Sequence, residues 1–167
     1  MRKGLAVIAS AVFLVLAPGT VAGLVPWLIA RSARDTISLP LAAHTAGLIL
    51  VGAGALVLLD SFARFALQGL GTPAPVLPTR HLVVTGLYRH VRNPMYIAVI
   101  AVIAGQALFL GNLHVLLYGA LVWLAFNLFV MLYEEPTLRS TYGKEYEDFC
   151  SHVPRWIPRL RPWKPDA

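Results

Sequence analysis

"NPMYIAVIAVIAGQALFLGNLHVLLYGALVWLAFNLFVMLY", residues 93–133, runs for 41 residues with His114 and its tyrosines as the only ionisable side chains. A helix that crosses a bilayer takes about 20 apolar residues, so the run has room for two. "GNLH", Gly111 to His114, divides it, because Gly and Asn suit a tight turn. Earlier in the chain, Gly4 to Ala30 and Leu41 to Leu59 also lack charge. The chain is 57% hydrophobic and 13% charged, where a soluble domain carries about a quarter charged residues. These features predict an all-α polytopic membrane protein with four spans, about 4–30, 41–67, 93–111 and 115–135. An amphipathic helix at the cytoplasmic interface, about 136–150, completes one domain over 1–167.

Arg2 and Lys3 before an apolar core invite a signal-peptide reading. The apolar stretch continues through "GLVPWLIA" and is too long for a signal core, so it reads as a membrane anchor. Pro18-Gly19 and Pro26 are expected to kink it. With the N-terminus cytoplasmic, the first external loop holds Arg31 and Arg34 and the second holds none; the remaining Lys and Arg fall inside. This asymmetry follows the positive-inside rule. It predicts a multi-pass membrane protein with both termini cytoplasmic. The net charge of +6 then reports topology and anionic lipid, which excludes nucleic acid as the expected partner. A single Cys150 excludes an intrachain disulfide or a Cys-based metal site, and the five His show no metal-ligand spacing.

Between the spans, residues 68–92 are rich in Gly and Pro and cannot form one helix. Asn93 and Pro94 form a helix start, with Pro at the first helical position. Helix four is expected to end at Pro136. Beyond it, Leu138, Tyr142, Tyr146 and Phe149 recur at helical spacing. The tail "VPRWIPRLRPWKP" mixes Trp with Arg and Lys, as headgroup anchors do. Asp60 and Arg64, four apart, are expected to pair.

Two clusters stand out. Glu134-Glu135 is an acidic doublet at the end of a span, where charge is costly unless it serves a site or partner; the plainer reading is a solvated helix end. Asn127, seven residues earlier, is expected on the same helix face as Glu134, and Gln106 is a second polar residue within a span. The other cluster is "YRHVRNPMY", Tyr88 to Tyr96. Arg89 and Arg92 suit a lipid phosphate or ordinary anchoring, and a helix N-terminus suits an anionic group. Gly52-Ala53-Gly54 reads as a helix-packing surface. Together the clusters outline a cytoplasm-facing pocket with carboxylates on one wall and cationic or amide donors on the other.

"LVVTGLYRHVRNPMY" and "YEEPTLRSTYGKEYEDFCSHVPRWIP" together resemble the integral-membrane methyltransferase superfamily, which includes phosphatidylethanolamine N-methyltransferase and isoprenylcysteine carboxyl methyltransferase. The resemblance covers roughly residues 52–158. It implies S-adenosylmethionine as cofactor and a membrane-embedded or apolar acceptor, with a phospholipid headgroup amine or an isoprenylcysteine-like carboxylate foremost. It also implies cofactor contacts at Gly52, Gly54, His81, Leu82, Val83, Tyr88, Asn93, Pro94, Met95, Tyr96, Glu134 and Glu135, substrate contacts at Arg89 and Arg92, and no metal. Asn93 stands where the prenylcysteine branch has His, and Val130 and Met131 stand where that branch holds an Arg before its acid pair. The alternatives are a small thiol or other apolar acceptor, or a non-catalytic membrane subunit or transporter that retains the fold.

Overall fold

Helix α1 (Lys3–Leu16) opens the computed structural model, which describes residues 3–33, 36–67, 82 and 84–164. It is followed by α2 (Val25–Ser32), α3 (Leu41–Leu67), α4 (Pro94–Leu110), α5 (Leu113–Phe129), α6 (Glu135–Tyr142) and α7 (Lys144–His152). A 3₁₀ turn, Gly86–Arg89, precedes α4. Among the described residues there is no strand, only one antiparallel bridge between Thr36 and Asn112. Three helical stretches among the described residues are long and apolar enough to cross a membrane: Ser10–Ser32, Leu41–Arg64 and Leu113–Tyr142. α4 is apolar but has 17 residues, about 25 Å at the usual rise, against a hydrocarbon core of about 30 Å.

Two prolines shape the first and last of these stretches in the same way. π-helical turns at Thr20–Leu24 and Val130–Glu134 lie just before Pro26 and Pro136. Proline offers no N–H and its ring clashes with the carbonyl four residues back; a wider turn relieves both. Helix four therefore does not stop at Pro136, as the sequence led us to expect, but continues into α6. The expected interfacial helix over 136–150 is instead two short helices, broken at Gly143, whose φ of +54° suits glycine.

The described chain resolves into two compact units. The first comprises Leu14–Leu59 and Met95–Phe126. In it α3 and α4 approach to backbone contact: a Cβ on Gly47 would lie 2.6 Å from the Gly105 carbonyl, and one on Gly54 would lie 2.8 Å from the Ala98 carbonyl. Ile103 and Val115 are fully buried here. Polar side chains mend the helix around Pro26. The Ala22 carbonyl has lost the N–H that residue 26 would have offered, and Gln106 Nε2 donates to it at 2.6 Å. Val25 N–H turns to the Thr20 carbonyl, which leaves the Val21 carbonyl for the Tyr118 hydroxyl at 2.9 Å. A buried carbonyl left without a donor costs about 1–3 kcal/mol, which accounts for two polar groups on apolar helices. The turn at Gly111 has φ of +60°. Buried Asn112 closes it, accepting from Val115 N at 3.1 Å and donating to the Ala33 carbonyl at 3.0 Å.

The second unit comprises Met1–Phe13, Asp60–Pro94 and Asn127–Ala167. Its core is Tyr146, Phe149 and Val153, with Leu82, Val84, Leu138, Tyr142, Cys150 and Trp163 packed against them. Residues spaced for a helix face thus bury that face against protein. Phe13 stacks on Phe62 at 6.1 Å between ring centres.

Candidate active site

In the second unit, a network of polar contacts joins the segment 88–93, the end of the long last helix and the tail 153–163. Backbone bonds tie the tail to the segment: Arg92 N–H donates to the Pro154 carbonyl, Arg159 N–H to that of His90, and Trp163 N–H to that of Arg89, each at 2.9 Å. His90 Nδ1 lies 2.8 Å from the Arg159 carbonyl, and Arg89 Nε donates to the Trp163 carbonyl. The 3₁₀ turn that starts this segment needs Gly86, whose φ is +55°; the Arg64 guanidinium packs where a side chain would stand. Arg64 is held there by Asp60, at 2.7 and 2.9 Å, as the four-residue spacing predicts.

Glu135 is the hub. Arg155 grips both its oxygens, Nε to Oε1 at 2.6 Å and Nη2 to Oε2 at 2.8 Å. Arg92 Nη1 reaches Oε1 at 3.1 Å. The Glu135 and Arg92 side chains are each only 13% exposed, so this pair is screened far less than a surface ion pair. Hydrogen bonding to Glu135 raises the pKa of Arg155 against a smaller opposing effect of burial. Asn93, also buried, donates from Nδ2 to the Arg155 carbonyl at 3.2 Å. Arg92 also donates to Cys150 Sγ at 2.8 Å, and its Nε is buried without a partner among the described residues. One cluster thus links the Asn93 segment to the acid doublet.

Tyr88 is 8% exposed. Burial pushes its phenol well above the ordinary range, the Glu134 and Asp60 carboxylates push the same way, and the neighbouring Ser61 hydroxyl opposes them. Glu134 is half-buried and near enough to contribute to that rise.

The structure brings Tyr88, Arg92, Asn93, Pro94, Glu134 and Glu135 into one unit, with Arg89 turned to the tail. Leu82 packs against Tyr146, Phe149 and Val153. His81 and Val83 lie outside the described residues. Met95, Tyr96, Gly52 and Gly54 belong to the other unit. There Tyr96 packs on Phe126 at 4.7 Å, Gly54 abuts α4, and a Cβ on Gly52 would meet nothing within 4 Å. No group of three metal-ligating side chains occurs among the described residues.

The helix between Asn127 and the acid doublet is irregular. Trp156 Nε1 donates to Asn127 Oδ1 at 3.0 Å, while the preceding tail residue, Arg155, holds Glu135. The π turn inserts one residue between them, so a spacing of eight does the work of seven. The tail's Arg155 and Trp156, which the sequence suggests as headgroup anchors, give their polar atoms to Glu135 and Asn127.

Residues 42–145 match the phospholipid methyltransferase family. A stretch of 82 residues is 36% identical to a protein named Protein-S-isoprenylcysteine O-methyltransferase from Schizosaccharomyces pombe. That stretch covers 48% of this chain and 34% of the yeast protein, so the likeness spans about a third of that relative's length. The family match takes in the Asn93 segment and the acid doublet, and it covers well over half the chain. With three helices able to cross a bilayer, this is an integral membrane protein that belongs to the phospholipid methyltransferase family.

Proposed function

We propose that this chain transfers a methyl group from S-adenosylmethionine to an acceptor held in or at the membrane. A phospholipid headgroup amine is favoured and an isoprenylcysteine-like carboxylate is second. In this reading the 17-residue α4 is a fourth, short span, α6 and α7 lie at the cytoplasmic interface, and both termini are cytoplasmic. The observation that carries the reading is the linkage, inside one compact unit, of the family-matched Asn93 segment to the acid doublet through Glu135, Arg92 and Arg155.

The donor set suits the cofactor's mixed charges. A sulfonium and an ammonium favour oxygen ligands. Glu134 supplies a carboxylate, and the π turn before Pro136 releases the Met131 carbonyl from its in-helix donor, since Glu135 N–H bonds Val130 instead. The cofactor's carboxylate favours N–H donors, and Arg92 Nε is a buried one without a partner among the described residues. Glu134, Tyr88, Asn93 and Arg92 would hold the group. S-adenosylmethionine, when bound, supplies a methyl already activated on sulfur. The protein's share is then alignment and exclusion of water, which explains why no nucleophile is needed. A neutral, buried Tyr88 adds no charge beside a cationic methyl donor. The phosphate of a lipid acceptor is a natural partner for Arg89 or Arg92.

Calorimetry with S-adenosylmethionine on the detergent-solubilised protein tests the cofactor, and labelled methyl transfer into extracted lipids tests the acceptor. Glu134→Ala is expected to weaken cofactor binding by tenfold or more, roughly the value of one charge-assisted contact. Unaltered binding in that variant sinks the assignment.

A further inference from the structure

Arg155 lies beyond the matched residues 42–145, and no role for it in the site is legible in the sequence. It nevertheless touches both halves of the candidate site: its guanidinium closes a two-point fork on Glu135, and its carbonyl receives Asn93 Nδ2. The preceding residue, Pro154, receives the N–H of Arg92.

The charge arithmetic matters. Glu135 carries one negative charge and contacts two arginines. With Arg155 satisfying both carboxylate oxygens, the trio keeps one surplus positive charge, and Arg92 retains a buried N–H for another anion. Without Arg155, Glu135 would neutralise Arg92 alone. The 13%-exposed pair would then close on itself, and Asn93 would lose the backbone position that holds its amide.

We propose that Arg155 is a positioning residue: by occupying Glu135 and seating Asn93, it keeps Arg92 available to the anionic end of the bound cofactor. This rests on the cofactor reading above and extends it to the tail. A planar fork is required, which lysine cannot supply.

The test is a double-mutant cycle on the full-length chain, read as the dissociation constant of S-adenosylmethionine by calorimetry, with circular dichroism and gel filtration to establish folding. Arg155→Ala is expected to weaken binding on the order of tenfold, and Arg155→Lys to recover only part of this. In a Glu135→Gln background, Arg155→Ala is expected to add little, because the two residues act as a unit. If Arg155→Ala does not purify as a folded protein, Arg155→Lys carries the same comparison in both backgrounds. Unchanged affinity in folded Arg155 variants, or an equal loss in both backgrounds, overturns the proposal while leaving cofactor binding by the unmodified chain intact. Absence of binding by the unmodified chain overturns the cofactor reading itself, and this inference with it.

Discussion

Tyr88 shows what a single residue contributes. Its phenol is buried and its pKa raised, first by loss of water and then by two carboxylates. An unfolded tyrosine ionises near pH 10. Above that pH the unfolded chain sheds a proton that the folded chain retains, so stability falls as pH rises. The contribution is present in full below the ordinary phenol value and is lost in alkali. Melting in detergent from pH 8 to 11 is expected to show this fall, with a shallower slope in Tyr88→Phe; identical slopes would refute the burial argument. Tyr146 adds to the same trend, being raised chiefly by burial and then by Cys150, so the slope in Tyr88→Phe should not vanish. At this scale the sequence was informative about type and poor about partners. Asp60 and Arg64 paired as their spacing predicted, because both lie on one regular helix. Arg155 was missed because its partner is 20 residues away, across two short helices and the turn at Gly143.

Among the elements, the repaired helix around Pro26 is the clearest case of local chemistry resolved by tertiary contact. Gln106→Leu leaves the Ala22 carbonyl without its donor and is expected to cost about 1–3 kcal/mol. Pro26→Ala restores an N–H in the right place, so in that background the same Gln106→Leu change should cost much less. Melting temperatures of the four proteins decide it, and equal losses in both backgrounds would show that Gln106 serves something else. Helix existence was legible throughout, since long charge-free runs leave few alternatives. Helix ends were not. Pro136 was expected to terminate α5, because a proline inside a regular helix normally does; the π turn that accommodates it depends on neighbours that no short window contains. Gly143, by contrast, broke a helix drawn as continuous, because spacing of apolar residues carries no record of φ.

For the molecule as a whole, the tail 153–163 joins segments that are distant in the chain. Removing everything after His152 is expected to release residues 88–93, since three backbone bonds and the Glu135 clamp go with it. Trypsin should then cut after Arg89 and Arg92 at least tenfold faster than in the full chain, an order-of-magnitude figure that follows from losing several hydrogen bonds at about 1 kcal/mol each. Unchanged cleavage would mean that the segment is held by its own turn. The membrane class and family likeness were legible from composition and two motifs. The tail's role was not, because its cations and tryptophans also suit a bilayer surface.

The widened turn at Val130–Glu134 sets which acid meets the arginines. Excising one residue between Val130 and Tyr133 would return the helix to ordinary pitch and put Glu135 seven residues beyond Asn127, two turns on, on the face it already occupies. Arg155 would then keep its grip on Glu135. In such a shortened protein, Glu135→Gln should cost the stability that it costs in the natural one. The two acids, adjacent and chemically alike, owe their separate duties to a miscount of one in the coil that carries them.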